Sequence, residues 1–318
     1  SFTLEHRKVL VKSLQLQYEN VEVSEATQEN IQSLTEENTF TVTTGHQLNL
    51  FTGPLYFLYK IISAINLAKE LKETYPEYNF VPIYWMASED HDFEEINYFN
   101  FKKEKIKWDS TQTGAVGEFS TEGLEEVLTQ FREQLSNSDA AEELIQLFQE
   151  AYLTHQNLTE ATRYIANQLF LDDGLVIVDG NDAQLKTLFK PFVKEELLQQ
   201  TSSEKVTSSA DKLAAKGYKV QVNPREINLF YLAEGIRERI IKEEEVYIVH
   251  ETDLRFTEAE ILEELENHPE RFSPNVIMRP LYQEAILPNL CYIGGGGELA
   301  YWFELKAYFE SQQIPFPI

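Results

Sequence analysis

The sequence predicts an α/β protein built on a parallel sheet, and three stretches carry that prediction. The first begins at Phe40-Thr41-Val42-Thr43, which is β-rich and runs into a polar loop. Gly53-Pro54 then opens a helix on which Leu55, Leu58, Ile61, Ile62, Ile65 and Ala68 fall at helical spacing. Phe57, Leu67 and Leu71 widen its apolar face until Tyr75-Pro76 ends it. Phe80 to Met86 is a continuous apolar run, as in a strand covered on both faces. Strand, helix and buried strand make a βαβ unit, which requires parallel strands. The second stretch is Leu175 to Gly180, followed by a helix carrying Leu185, Leu188, Phe189 and Phe192. The third is Leu290 to Ile293, then Gly294 to Gly297, then a helix over Glu298 to Lys306.

The remaining elements are read in chain order. Residues 1–37 are a polar N-terminal helical segment without chemical signal, and 38–120 form the first half of the core. Residues 121–170 read as an insertion of three consecutive helices. Leu124, Val127, Leu128, Phe131 and Leu135 stripe the first, and Asp139 with Glu142 and Asn157 with Glu160 cap the next two. Residues 171–200 return to the core, and 201–270 are a second insertion or connecting segment. Within it, 201–217 is Ser/Thr/Lys/Ala-rich and reads as a mobile excursion, 218–250 as short strands, and 258–266 as a Glu-rich helix. Residues 271–318 close the core. The chain opens at Ser1 without Met and ends on Ile314-Pro315-Phe316-Pro317-Ile318, so both ends read as cuts in a longer protein.

Composition removes several classes of function. With 318 residues, 42% hydrophobic and 25% charged, the chain is neither collagen-like, disordered nor a bare coiled coil. Its 53 acidic and 27 basic residues leave a net charge of −26, which disfavours nucleic acid and anionic membranes as partners. An anionic small substrate remains compatible with a local cluster of cations. Cys291 is the one cysteine, so no intrachain disulfide or multi-cysteine zinc site is expected. No apolar run reaches ~18 residues and no signal peptide is recognisable, which fits the cytoplasm.

Ligands of open parallel sheets bind beyond the carboxyl ends of the strands, and four polar clusters follow predicted strands here. Thr44, Gly45, His46, Gln47, Asn49, Thr52 and Gly53 stand before a helix N-terminus, where free N–H groups attract anions. His46 there is a candidate acid or base, or merely satisfies loop backbone groups. Ser88-Glu89-Asp90-His91-Asp92 crowds three carboxylates and an imidazole, as an acid–base pair, an ammonium site or a metal site would; the plainer alternative is a loop with Asp92 as N-cap. Asp179-Gly180-Asn181-Asp182 suits a sugar hydroxyl or an ordinary strand-to-helix turn. Gly294, Gly295, Gly296 and Gly297 before Glu298 let backbone approach a ligand closely, but match neither a dinucleotide nor a P-loop pattern. Arg279, near Gln283, is suited to bidentate carboxylate binding, and Cys291 reads as a buried packing thiol.

Taken together, these stretches resemble the bacillithiol biosynthesis cysteine-adding enzyme family. The likeness lies in Thr44-Gly45-His46-Gln47 through Thr52-Gly53-Pro54-Leu55-Tyr56 and Lys60-Ile61-Ile62, in Pro82 through Asn97, and in Arg279-Pro280, Gln283, Leu287-Pro288-Asn289 and Tyr292 through Trp302. It spans the chain. It implies a Rossmann-like core, similar to nucleotidyltransferases and class I aminoacyl-tRNA synthetases, with helical insertions. It also implies a cytoplasmic ligase that joins L-cysteine to the amine of glucosaminyl-malate, with ATP as cofactor by analogy and no metal. A missing C-terminal coiled coil would support a homodimer. On this resemblance His91, Asp92 and His46 are the catalytic candidates. Thr44, Gly45, Gln47, Asn49, Thr52 and Gly53 would hold an anionic group, and Ser88, Glu89, Asp90 and Asp179 the sugar. Arg279 and Gln283 would take the malyl carboxylates, and Gly294 to Gly297 with Glu298 and Tyr301 would line the ligand. Two positions depart from the family pattern: some relatives carry Gln where this chain has His46, and Gly296 stands where Pro is usual. The competing readings are a metal-dependent hydrolase or sugar-modifying enzyme, and a non-enzymatic acidic α/β binding module.

Overall fold

The computed structural model describes residues 2–318. The chain opens with α1 (Leu4–Gln17) and α2 (Glu25–Ser33) and enters β1 (Thr39–His46), whose residues are nearly all buried. α3 (Tyr56–Thr74) and the buried β2 (Asn79–Met86) complete the βαβ pattern read from the sequence. A short α4 (Phe93–Ile96) leads to a hairpin of β3 (Tyr98–Phe101) and β4 (Glu104–Lys107). Three helices follow: α5 (Leu124–Gln134), α6 (Asp139–Thr154) and α7 (Leu158–Leu169). Asn157 caps α7 by accepting from Glu160 N, as expected, but α6 is capped one residue earlier than expected. Ser138 holds the extended conformation and accepts from Ala141 N, so Asp139 is already helical.

β5 (Val176–Asp179) runs parallel to β2, with Ile83 opposite Val176 and Met86 opposite Asp179. α8 (Ala183–Gln199) starts at Asp182, which caps it by accepting from Leu185 N. Residues 201–217, expected to be a mobile excursion, instead form α9 (Thr201–Ala214). Its Ser/Thr content is no obstacle because Ser202, Val206, Ser209 and Ala210 make a small, buried face. β6 (Leu229–Ala233), β7 (Ile236–Glu243), β8 (Val246–Val249) and β9 (Arg255–Thr257) form a meander. α10 (Glu258–Asn267) and β10 (Phe272–Pro274) follow, and β10 pairs back with β6. α11 (Arg279–Ile286), β11 (Asn289–Tyr292) and α12 (Gly296–Ser311) end the fold. The hydrogen-bonded order of the main sheet is β11-β1-β2-β5.

These elements gather into two compact units. One holds residues 14–33 and 42–180, the other the residues up to 13 with 34–41 and 181–318. In the first, Phe51 anchors the loop after β1. Its ring lies 4.6 Å from that of Phe99, 4.7 Å from Phe148, 5.2 Å from Tyr152 and 5.3 Å from Phe131. In the second, α12 packs along α9, buries Trp302, Leu305, Tyr308 and Phe309, and stacks Trp302 on Tyr292 at 4.3 Å. Among the described residues, no helix is long and apolar enough to cross a membrane.

Candidate functional site

In the unit of residues 14–33 and 42–180, polar residues collect where β1, β2 and β5 end. β1 carries Gly45 and His46 to its last turn, where the buried Lys60 of α3 donates to Gly45 O at 2.5 Å. The His46 ring packs edge-on against Phe57 at 5.4 Å, and its Nδ1 lies 3.1 Å from Gln47 O. Gln47 Nε2 donates to Asp90 Oδ2 at 2.5 Å, while Gln47 Oε1 is buried with no partner among the described residues. Asp90 Oδ1 in turn accepts from His91 N at 2.7 Å and Asp92 N at 3.3 Å, so this carboxylate closes its own loop.

Ser88 is buried and its hydroxyl donates to Asp179 Oδ1. The register makes that reach: Met86 lies opposite Asp179, and Ser88 follows two residues later. Gly117 N donates to Ser88 O at 2.8 Å, and a Cβ at position 117 would lie 2.7 Å from Ser88 O. Only glycine lets that loop come so near. Four of the expected residues, Gln47, Ser88, Asp90 and Asp179, thus meet in two hydrogen-bonded pairs.

Others do not join them in the expected way. His91 and Asp92 are exposed, and Asp92 takes the N-cap position of α4 without a side-chain capping bond. Asn49 Nδ2 reaches Glu95 O at 3.3 Å. Phe51, Thr52 and Gly53 all have positive φ, at 52°, 66° and 58°, so Thr52 and Gly53 shape the turn that buries Phe51. Glu95 is pushed above the usual carboxylate range by burial and then by Asp92 and Asp90.

The second unit carries its own constellation. Arg279 Nη1 donates to Gln283 Oε1 at 3.0 Å, one helical turn on, and its guanidinium lies 5.9 Å from the Tyr292 ring centroid. Burial opposes the charge on Arg279, but the phenol oxygens of Tyr292 and Tyr301 and the Glu298 carboxylate outweigh it and hold the group charged. Gln283 Nε2 and Asn289 Nδ2 both donate to Glu284 Oε1 at 2.8 Å, and Thr41 Oγ1 donates to Asn289 Oδ1 at 2.9 Å. Burial pushes the Glu284 carboxyl up to about 7, against those two donors and Arg279. Sequence reasoning missed Glu284; the available signal was one carboxylate inside the apolar run Leu281 to Leu287. Cys291 is half-buried rather than fully buried, and burial with Glu284 pushes its thiol up, away from the reactive thiolate.

The glycine turn is also built differently from the expectation. None of Gly294 to Gly297 has positive φ, and Gly296 and Gly297 already belong to α12. A Cβ at 296 or 297 would meet nothing within 4 Å. The Glu298 carboxylate accepts from Gly295 N at 2.9 Å and from Tyr292 Oη at 2.8 Å. An acid therefore already holds the N-terminus of α12, which makes it a poor seat for phosphate. Among the described residues, the metal-capable trio within 4.8 Å of one another is Glu238, His250 and Glu251 on the β7–β8 hairpin; His46 with Glu89 to Asp92 makes no such trio.

Residues 2–318 match the family described as Bacillithiol biosynthesis BshC, N-terminal Rossmann-like domain. The chain belongs to this family. It is 60% identical over 318 residues to a Flavobacterium johnsoniae protein named "Putative cysteine ligase BshC", covering 100% of this chain and 60% of that one. Proteins of the same name from Flavobacterium psychrophilum and Christiangramia forsetii are 60% and 58% identical over 312 and 316 residues, 98% of this chain in both cases. The chain spans about three fifths of the length of these BshC relatives, 60%, 58% and 59% in turn. Its fold is the Rossmann-like one that the family description prints.

Proposed function

We propose that this chain is the Rossmann-like part of a cysteine ligase of bacillithiol biosynthesis, which joins the carboxylate of L-cysteine to the amine of glucosaminyl-malate. The observation that carries the reading is the acceptor-rich set at the ends of β1, β2 and β5: Asp90 tied to Gln47, Asp179 tied to Ser88, and the unpaired Gln47 Oε1. An amino sugar is a collection of O–H and N–H donors, and such acceptors suit it. The amine attacks only as the free base, so its proton must pass to an acceptor; Asp90 and Asp179 are the carboxylates proposed for that role.

Amide formation from a free carboxylate also needs activation, and ATP is the proposed donor. The α12 turn does not fit its phosphates, because Glu298 occupies it, and no step is assigned to ATP on these residues. A metal-dependent hydrolase is less favoured, since His46 and the Glu89 to Asp92 segment do not converge as a ligand trio.

The test is a mass assay on the full-length protein with cysteine and glucosaminyl-malate, with and without ATP. Ser88→Ala and Asp179→Asn should each lower kcat/KM by at least about tenfold, ~1.4 kcal/mol of transition-state stabilisation. Absence of the cysteinyl product from the wild-type enzyme, or full turnover in either variant, refutes the reading.

A further inference from the structure

The sheet order leaves β5 at an edge, with no strand beyond it among the described residues. An exposed edge presents a row of unpaired backbone groups. Here that row is taken by side chains. Thr27 Oγ1 donates to Leu175 O at 3.4 Å. At Ile177, Arg163 Nη1 donates to the carbonyl at 2.8 Å, and the N–H donates to Tyr18 Oη at 2.7 Å. At Asp179, Gln17 Nε2 donates to the carbonyl at 3.0 Å, and the N–H donates to Gln17 Oε1 at 2.9 Å. Residues 175, 177 and 179 alternate along one edge, so α1, α2 and α7, with Tyr18 just past α1, supply what another strand would.

The last of these contacts is chemically the most particular. One amide makes both bonds that a neighbouring strand makes, and its orientation is set. Arg163 Nη2 also donates to Gln17 Oε1, at 2.9 Å. Turning the amide over would place its NH2 against both the guanidinium and the Asp179 N–H, three donors with no acceptor. Arg163 is buried and lies 5.2 Å over the Tyr18 ring, so it is not free to yield. The residue clamped in this way is the one whose carboxylate takes the Ser88 hydroxyl.

We propose that Gln17, oriented by Arg163, is a positioning residue that fixes the Asp179 main chain so that the Ser88–Asp179 pair keeps its aim at the amino sugar. This rests on the ligase reading of that pair. It gives a catalytic purpose to the N-terminal segment, in which the sequence shows no chemical signal. Gln17 itself touches no substrate; its effect passes through Asp179.

The experiment uses the full-length enzyme and four variants: Gln17→Met, Gln17→Glu, Ser88→Ala and the double variant Gln17→Met with Ser88→Ala. Gln17→Met keeps the volume and loses both bonds to Asp179 and the one from Arg163; Gln17→Glu keeps the acceptor for Asp179 N and Arg163 but loses the donor. Gln17→Met should lower kcat/KM by at least tenfold, chiefly through KM for glucosaminyl-malate, with KM for cysteine unchanged. Gln17→Glu should retain more activity than Gln17→Met. The double variant should be no worse than Ser88→Ala alone, because residues acting as one unit are not additive. Full kcat/KM in Gln17→Met beside an impaired Ser88→Ala overturns the clamp and leaves the site. So do equal rises in both KM values, or a double variant worse than Ser88→Ala by the whole Gln17→Met effect. Full activity in Ser88→Ala removes the reading of the site and the clamp with it. Should Gln17→Met fail to fold, the substrate selectivity of the KM change in Gln17→Glu decides.

Discussion

Glu284 is a carboxylate that folding makes harder to ionise. Its environment supplies two amide donors and a nearby guanidinium, yet burial wins and lifts the group to about 7. A raised carboxyl means that the folded state binds a proton which the unfolded chain releases at its ordinary 4.5. Its stabilising contribution is therefore complete below the unfolded value and is lost as pH rises through the folded one. Urea midpoints of the wild type should fall between about pH 4.5 and about pH 7, and Glu284→Gln should flatten that fall. An unchanged slope would mean that Glu284 stays ionised in the fold. The same local logic separates Ser88 from His91. Ser88 is buried against a carboxylate, whereas His91 is exposed, and one letter of sequence distinguishes neither case.

At the scale of elements, periodicity located most helices and strands because burial follows the geometric period. α9 is the instructive failure. Its buried face is Ser202, Val206, Ser209 and Ala210, too small and polar to register as a hydrophobic stripe, and it exists because α12 lies on it. A carboxylate completes the packing there: Glu196 of α8 accepts from Ser202 Oγ at 2.6 Å and from Asn228 N at 2.9 Å, and burial raises it above the usual carboxylate range. α10 is the opposite case, legible from end to end. Thr257 and Glu260 form a reciprocal capping box, with Thr257 N donating to Glu260 Oε2 at 2.7 Å. Thr257→Ala should cost about 1 kcal/mol in chemical denaturation, and a loss near zero would show that the meander holds α10 without its cap.

For the whole molecule, the net charge of −26 sets a general term that no single pair removes. Self-repulsion among carboxylates opposes compactness, and salt shortens its range from about 30 Å at 0.01 M to about 8 Å at 0.15 M. The melting temperature should therefore rise across that interval; a fall would mean that favourable ion pairs outweigh the repulsion. Exposed ion pairs such as Lys8–Glu5 and Lys205–Glu204 each contribute little.

The α/β class, the strand that β2 makes and the polar residues that follow each strand were all determined by the sequence, because apolar run length and helical spacing are local properties. So was membership of the family, through long stretches of matching residues. Only the tertiary structure decided which polar groups meet. Ser88 finds Asp179 across 91 positions, and Gln17 finds the same residue across 162. Such pairings depend on strand register, on which strand is left at the edge of the sheet, and on which side chains complete it. None of these leaves a periodic trace in the chain.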